Sequence, residues 1–305
     1  MMRRTRTPGL VSHPVHIEPA SPNAACHTRT RVAGPVDPRA IQDSAFMGRI
    51  TFASYSASKI ININSFIREL KFYGLWAKLD CFYIFAAFNA ADAYLNWINS
   101  SYNCVSIGNL SPIFTSFRGV AGNGITADRI CLNTQYSPNS NKTALSLNSA
   151  SIGGYARATR PNLGSERIEL GAATGSDPGL DGWGTNYYNP SNQISLFINS
   201  AYGNWGAQLA PPTAAGLFAV SRTSSTQVDV YINGTLGAST SSSNSTSIID
   251  LPVYILNSNY AGGQDSCWIN YELAAAFIGG GMTASESSQF YTLLQKYLAT
   301  VGAAV

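Results

Sequence analysis

The side chains able to do chemistry are few and unevenly placed. All three histidines, His13, His16 and His27, precede Ile50. The rest of the chain therefore has no imidazole for a Ser-His-Asp triad, a Cys-His pair or a His-bearing zinc site. His13 and His16 stand among prolines and read as solvated side chains rather than metal ligands. Glycan hydrolysis needs two carboxylates facing one sugar, roughly 5 to 9 Å apart. The nearest pair is Glu166 and Glu169 in Glu-Arg-Ile-Glu. Three residues apart on an extended strand, they point to opposite faces and cannot bracket one bond. Asp177 and Asp181 flank a Pro-Gly loop and read as turn formers. Calcium would suit their oxygens, but no EF-hand spacing supports it. The expectation is a protein that is not an enzyme, with no catalytic residue, no bound metal and no cofactor.

Binding is the chemistry that the remaining residues suit. Between Asp181 and Trp205 the sequence offers Trp183, Tyr187, Tyr188, Asn189, Asn192, Tyr202, Asn204 and Trp205 in Gly- and Asn-rich surroundings. Flat aromatic faces stack on sugar C–H surfaces, and amides and phenols bond hydroxyls directionally. Trp183, Tyr187, Tyr188, Asn189, Tyr202 and Trp205 are therefore the candidate glycan-binding residues, on loops of a rigid scaffold. The competing reading is that these aromatics plug the edges of a sandwich or an oligomer interface.

The five cysteines, Cys26, Cys81, Cys104, Cys131 and Cys267, are widely spaced, with no Cys-x-x-Cys. That spacing excludes zinc ribbons and thioredoxin-type pairs and suggests buried free thiols. Five Asn-x-Ser/Thr sequons, from Asn99, Asn109, Asn141, Asn233 and Asn244, are what a chain rich in these residues produces by chance. The Arg3-Arg4 pair is followed by Thr, Pro and Gly rather than an apolar stretch, so no export signal is expected. No apolar run reaches the roughly 18 residues of a bilayer span.

The elements that would position such side chains are mostly strands. Cys81 to Phe88, Leu145 with Leu147, Ile168 with Leu170, Ile194 to Ile198, Leu217 to Val220, Val228 to Ile232, Val253 with Ile255, and Leu273 to Ile278 are short apolar or alternating segments between Gly, Asn, Ser and Pro. Without helical patterns between them they predict antiparallel sheets. In Gln227–Ala238, Val228, Val230 and Ile232 point one way, Asp229 and Tyr231 the other, and Asn233-Gly234 supplies a type I′ turn. Ile60 to Asn64 alternates like a strand, and Ser65 then caps a helix over about residues 65–79. Thr283-Ala-Ser-Glu286 is a capping box before Phe290, Leu293, Leu294, Tyr297 and Leu298, predicting a helix over about 284–299. The Ser/Thr-rich stretch Ser239 to Ser247 reads as a loop.

Residues 1–49 read differently. They hold six of the 14 prolines and no hydrophobic periodicity, and so cannot fold unaided. Seven arginines, Arg3, Arg4, Arg6, Arg29, Arg31, Arg39 and Arg49, face three acidic residues, a balance of +4 within a whole-chain charge of +3. The body, residues 50–305, is thus slightly acidic and is not a basic nucleic-acid binder. The leader is an extended arm, with Arg3, Arg4, Arg6, Arg29, Arg31 and Arg39 as anchoring candidates.

Three groups of residues carry a resemblance. Gly216 to Arg222 with Gln227-Val-Asp-Val-Tyr-Ile-Asn-Gly234 resembles the paired strands of concanavalin A-like and laminin G-like jelly rolls. Glu272 to Glu286 and the helix after it resemble the closing strand and helix of such domains in tailed-phage and prophage virion proteins. Leu75 to Ala87 and Ser111 to Gly119 are similar to the same group. The resemblance spans about Gly74 to Ala303. It implies an all-β, concanavalin A-like jelly-roll sandwich with a short helix at its entrance, a C-terminal helix and an extended N-terminal arm. It further implies a virion structural protein, a head or tail fibre, spike or capsid decoration, made in a bacterial cytoplasm and docked by its arm to capsid, portal or tail. A homo-oligomer, trimeric by preference, follows from display on a particle. The alternatives are an adhesin for host-surface glycan and, more weakly, a polysaccharide-degrading enzyme.

Overall fold

The computed structural model describes residues 46–51, 54–108, 110–122, 130–160, 168–174, 181–185, 187–188, 194–195, 197–201, 215–264 and 269–305, with backbone alone at 181–185, 187–188, 194–195 and 264. The chain divides into two units, Met1–Val36 and Asp37–Val305, and the described residues belong to the second. Two sheets dominate it. The first runs Thr235–Thr240, Val228–Ile232, Gly216–Arg222, Ala150–Ala156, Glu272–Gly279, Gly119–Ala121 and Ile113–Thr115, and Leu79–Ile84 also pairs with Glu272–Gly279. The second runs Ile198–Ala201, Asp181–Thr185, Leu170–Ala173, Tyr254–Ile255, Cys131–Asn133 and Val105–Ile107. Ser258–Tyr260 joins Leu170–Ala173 in parallel; the neighbours named above pair antiparallel. The protein is an all-β sandwich with helices added.

Packing has three layers. Between the sheets lie Tyr83, Phe85, Leu132, Tyr136, Ile152, Leu170, Phe218, Val220, Val228, Val230 and Ile278. On the outer face of the first sheet, Phe82, Tyr155, Leu217, Tyr231 and Phe277 meet the helices Ala57–Phe72 and Ala284–Val301. Because both faces of this sheet are covered, Gly216–Arg222 is buried along its whole length. Its continuous apolar run has the same cause. The Val228–Ile232 hairpin follows its alternation: Val228 and Val230 face the other sheet and Tyr231 faces the helices. Asn233 at φ 50° and Gly234 at φ 73° make the expected turn.

The first helix departs from the sequence reading. It spans Ala57–Phe72, capped by the Ser56 side chain, so Ile60 to Asn64 is helical rather than a strand. The alternation of three isoleucines over five residues is outweighed by a longer helical period, since Ile63, Phe66, Ile67 and Leu70 form its buried stripe. It ends at Gly74, φ 72°, short of the expected residue 79. The last helix, Ala284–Val301, has the capping box, with Thr283 and Glu286 bonding reciprocally. Phe46, Met47 and Ile50 are buried in the helical layer, where Phe46 stacks on Trp97 at 4.4 Å. Phe46 and Met47, which the sequence reading groups with the leader, thus pack with the body.

Several strands escape the period-two reading. Leu145 and Leu147 lie in the turn before Ala150–Ala156, whose Gly153-Gly154 pair disguises a central strand. A Cβ at Gly153 would sit 2.4 Å from the Phe277 ring, and one at Gly154 would sit 2.8 Å from the Glu169 carboxylate. Small residues are required there because both layers press on the strand.

Candidate ligand-binding surfaces

The residues nominated for glycan binding fall partly in the second sheet. Asp181–Thr185 is a strand rather than a loop, and its register sets Trp183 level with Ala172 on one side and Ile198 on the other. Both of those neighbours belong to the inter-sheet core. Gly182 and Gly184 leave alternate positions of this strand without side chains, which removes the pattern by which a strand is read. Tyr187 and Tyr188 pair with Ser195 and Ile194 in a short hairpin. Asn189, Asn192, Tyr202, Asn204 and Trp205 lie outside the described residues, as do Glu166, Asp177, Cys26, Cys267 and the three histidines. The anchoring candidates Arg3, Arg4, Arg6, Arg29, Arg31 and Arg39 lie outside them too.

Every carboxylate whose side chain is described is engaged by partners. Asp80, buried at the start of Leu79–Ile84, accepts bonds from the Tyr136 hydroxyl at 2.9 Å, from the Thr143 hydroxyl, and from the backbone N–H groups of Thr143, Ala144 and Leu145 at 2.7–3.0 Å. Glu169, fully buried, pairs with Arg160 at 2.6 Å and accepts from the Tyr271 hydroxyl at 2.7 Å. Glu272 bridges Arg118 and Arg157 at 3.1 and 2.9 Å. Asp92 receives Asn89 and Thr51, and Asp229 receives Gln227 and Ser239. Asp250 receives Ser140, Glu69 pairs with Lys296, and Glu286 with Lys78. These groups tie turns, caps and helices to the sheets.

Two buried arginines do similar work. Arg222 donates to the carbonyls of Ile198, Ser224, Ser225 and Ser243 and to the Ser243 hydroxyl, and so binds the Ser/Thr-rich stretch to the first sheet. Burial lowers its pKa to about 10. The described cysteines Cys81, Cys104 and Cys131 are buried, and Cys81 and Cys104 are free. Burial pushes the Cys81 and Cys104 thiols well above their ordinary value, so neither is a ready nucleophile.

Two surface hollows border this network. One, of about 830 Å³, lies between the two long helices and is lined by Arg68, Glu69, Lys71, Phe72, Tyr73 and Lys296; Phe72 is 82% exposed. The other, of about 520 Å³, opens where the segments before and after Leu79–Ile84 meet the 141–143 turn. Arg49, Asn99, Ser100, Tyr102, Asn141 and Thr143 line it, with Ile98 and the edge of Asp80. Sequence reasoning placed Arg49 with the solvated arginines of the leader. The available signal was its position beside the apolar residues Phe46, Met47 and Ile50, which draw it into the body.

No family model matches the chain, and no curated protein matches it. Solved structures similar to it include a Trypanosoma rangeli sialidase mutant with trans-sialidase activity, 13% identical, covering 79% of this chain and 40% of that one, TM-score 0.45. The receptor-binding domain of botulinum neurotoxin D is 13% identical, covering 71% and 52%, TM-score 0.46. Domain 4 of an extracellular arabinanase from Geobacillus stearothermophilus, in complex with arabinotriose, is 15% identical, covering 70% and 98%, TM-score 0.40. The chain spans about half or less of the sialidase and neurotoxin chains. These distant likenesses assign no residue a role.

Proposed function

We propose that this chain is a non-catalytic, lectin-like binding module displayed on a tailed-phage virion and docked to capsid, portal or tail by its basic leader. The observation that supports binding over catalysis is the state of the carboxylates: each described one is consumed by structural partners, while polar and aromatic side chains are left lining surface hollows. The virion part rests on the motif resemblance. In the fold the separate parts of that resemblance meet around one strand. Leu79–Ile84 and Gly119–Ala121 both pair with Glu272–Gly279, and Arg118 of the Phe-Arg-Gly stretch holds Glu272 at 3.1 Å. Motifs that share one strand have a physical reason to occur together.

In this reading the arginines Arg3, Arg4, Arg6, Arg29, Arg31 and Arg39 meet acidic protein surface, and the body faces outward as one copy of a symmetric oligomer, trimeric by preference. Removing residues 1–45 is expected to leave a folded, soluble body that no longer joins particles; incorporation at the level of the full chain would reject the docking role. A second reading, an adhesin for host-surface glycan, is compatible with display. It predicts binding on a glycan array, weakened by Trp183→Ala and Trp205→Ala if the stretch after Asp181 is the contact.

A further inference from the structure

The hollow beside Leu79–Ile84 is lined by Arg49, a cation that is in no ion pair among the described residues. Arg49 is half-buried, and its Nη2 donates to the carbonyls of Asn96 at 2.7 Å and Trp97 at 3.4 Å. Among the described residues, its buried Nη1 has no hydrogen-bond partner and no carboxylate is within ion-pair distance of it. Neutral carbonyls and the Phe46 ring, 5.3 Å from the guanidinium carbon, are poor compensation for a partly desolvated charge. Asp80, on the same wall, keeps its charge but forms no ion pair with Arg49, and five neutral donors already occupy its carboxylate oxygens. One guanidinium nitrogen of a residue lining the hollow is thus left without an acceptor, and an anion bound against Arg49 would supply one.

The other walls narrow the kind of anion. Asn99, Ser100, Asn141 and Thr143 present amides and hydroxyls, which both donate and accept, and Tyr102 and Ile98 add a flat apolar surface. About 520 Å³ is within the size of small-molecule sites, and larger than a bare inorganic anion needs. A group with one carboxylate, several hydroxyls and an apolar C–H face fits these walls together. We infer that the hollow formed by Arg49, Asn99, Ser100, Tyr102, Asn141 and Thr143 binds an acidic sugar residue of a saccharide, its carboxylate set against Arg49. This names a ligand class for the binding function proposed above and rests on that reading.

Calorimetric titration of the full chain tests it, with glucuronic acid, N-acetylneuraminic acid, methyl glucoside, acetate and sulfate as probes. At least one acidic sugar is expected to bind tenfold or more tightly than methyl glucoside and than acetate or sulfate. Arg49→Gln is expected to remove that preference. Since Arg49 also holds two carbonyls, Ser100→Trp is the second variant; Ser100 is exposed and makes no internal bond, so the indole fills the hollow without disturbing the core, and binding is lost. Equal affinity for acetate, sulfate and the acidic sugars would show a general anion site and overturn the inference. So would acidic-sugar binding that survives both substitutions. Neutral glycans binding elsewhere, with no acidic sugar bound, would leave the binding reading standing and remove this one.

Discussion

Glu169 lies between the sheets with Arg160 on one side and the Tyr271 hydroxyl on the other, and the backbone of Gly154 is pressed against its carboxylate. A buried ion pair adds little over an apolar pair of the same shape, but removing one partner strands the other charge. Glu169→Ala is therefore expected to lower unfolding free energy by about 3–5 kcal/mol, measured by urea denaturation. Loss below 1 kcal/mol would mean that Arg160 finds another partner. The thiols give a second residue-scale prediction. With Cys81 and Cys104 buried and their pKa raised, both are expected to resist alkylation at neutral pH in the folded protein and to react fully in denaturant, as read by peptide mass spectrometry. The type of these residues was legible in the sequence. The actual partners of Glu169 were not legible, because Arg160 and Tyr271 reach it through the fold.

At the scale of elements, legibility followed local signals. The hairpin at Asn233-Gly234 and the helix after Thr283 depend on turn and cap chemistry written in a few adjacent residues, and both form as read. The first helix and the Ala150–Ala156 strand depend on what packs against them. Ile60 to Asn64 alternates locally yet joins a helical stripe, and Gly153-Gly154 looks like a loop until Phe277 and Glu169 close on it. The last helix supports a quantitative test. Thr283→Ala removes one half of the capping box and is expected to lower stability by about 1 kcal/mol. Glu286, the other half, titrates below its ordinary range: burial alone would raise it, but the bond from Lys78 and those from Thr283 prevail. A carboxylate with a folded pKa below its unfolded one contributes fully above the unfolded value and loses that contribution as pH falls through the folded one. Glu286→Gln is thus expected to flatten part of the acid limb of stability, measured by thermal melts from neutral pH down to about pH 3.

At the scale of the molecule, positive charge is gathered at one end of the sequence. The arginines are concentrated before residue 50, whereas the body buries an apolar layer on each face of its first sheet. Proline and charge set residues 1–49 apart in the sequence, and Phe46 and Met47, grouped with them there, are buried. Which surface recognises a partner was far less readable. The aromatic cluster after Asp181 drew attention by composition, whereas Arg49 gains its meaning from Asn96, Trp97 and Asp80, all distant in sequence. The proposed function has the body hold a saccharide without cutting it. Incubating the full chain with host-surface polysaccharide, and reading both retention on the protein and release of reducing ends, tests this. Retained, intact polysaccharide with no new reducing ends is expected; steady release of reducing ends, or no retention of any polysaccharide, would overturn it.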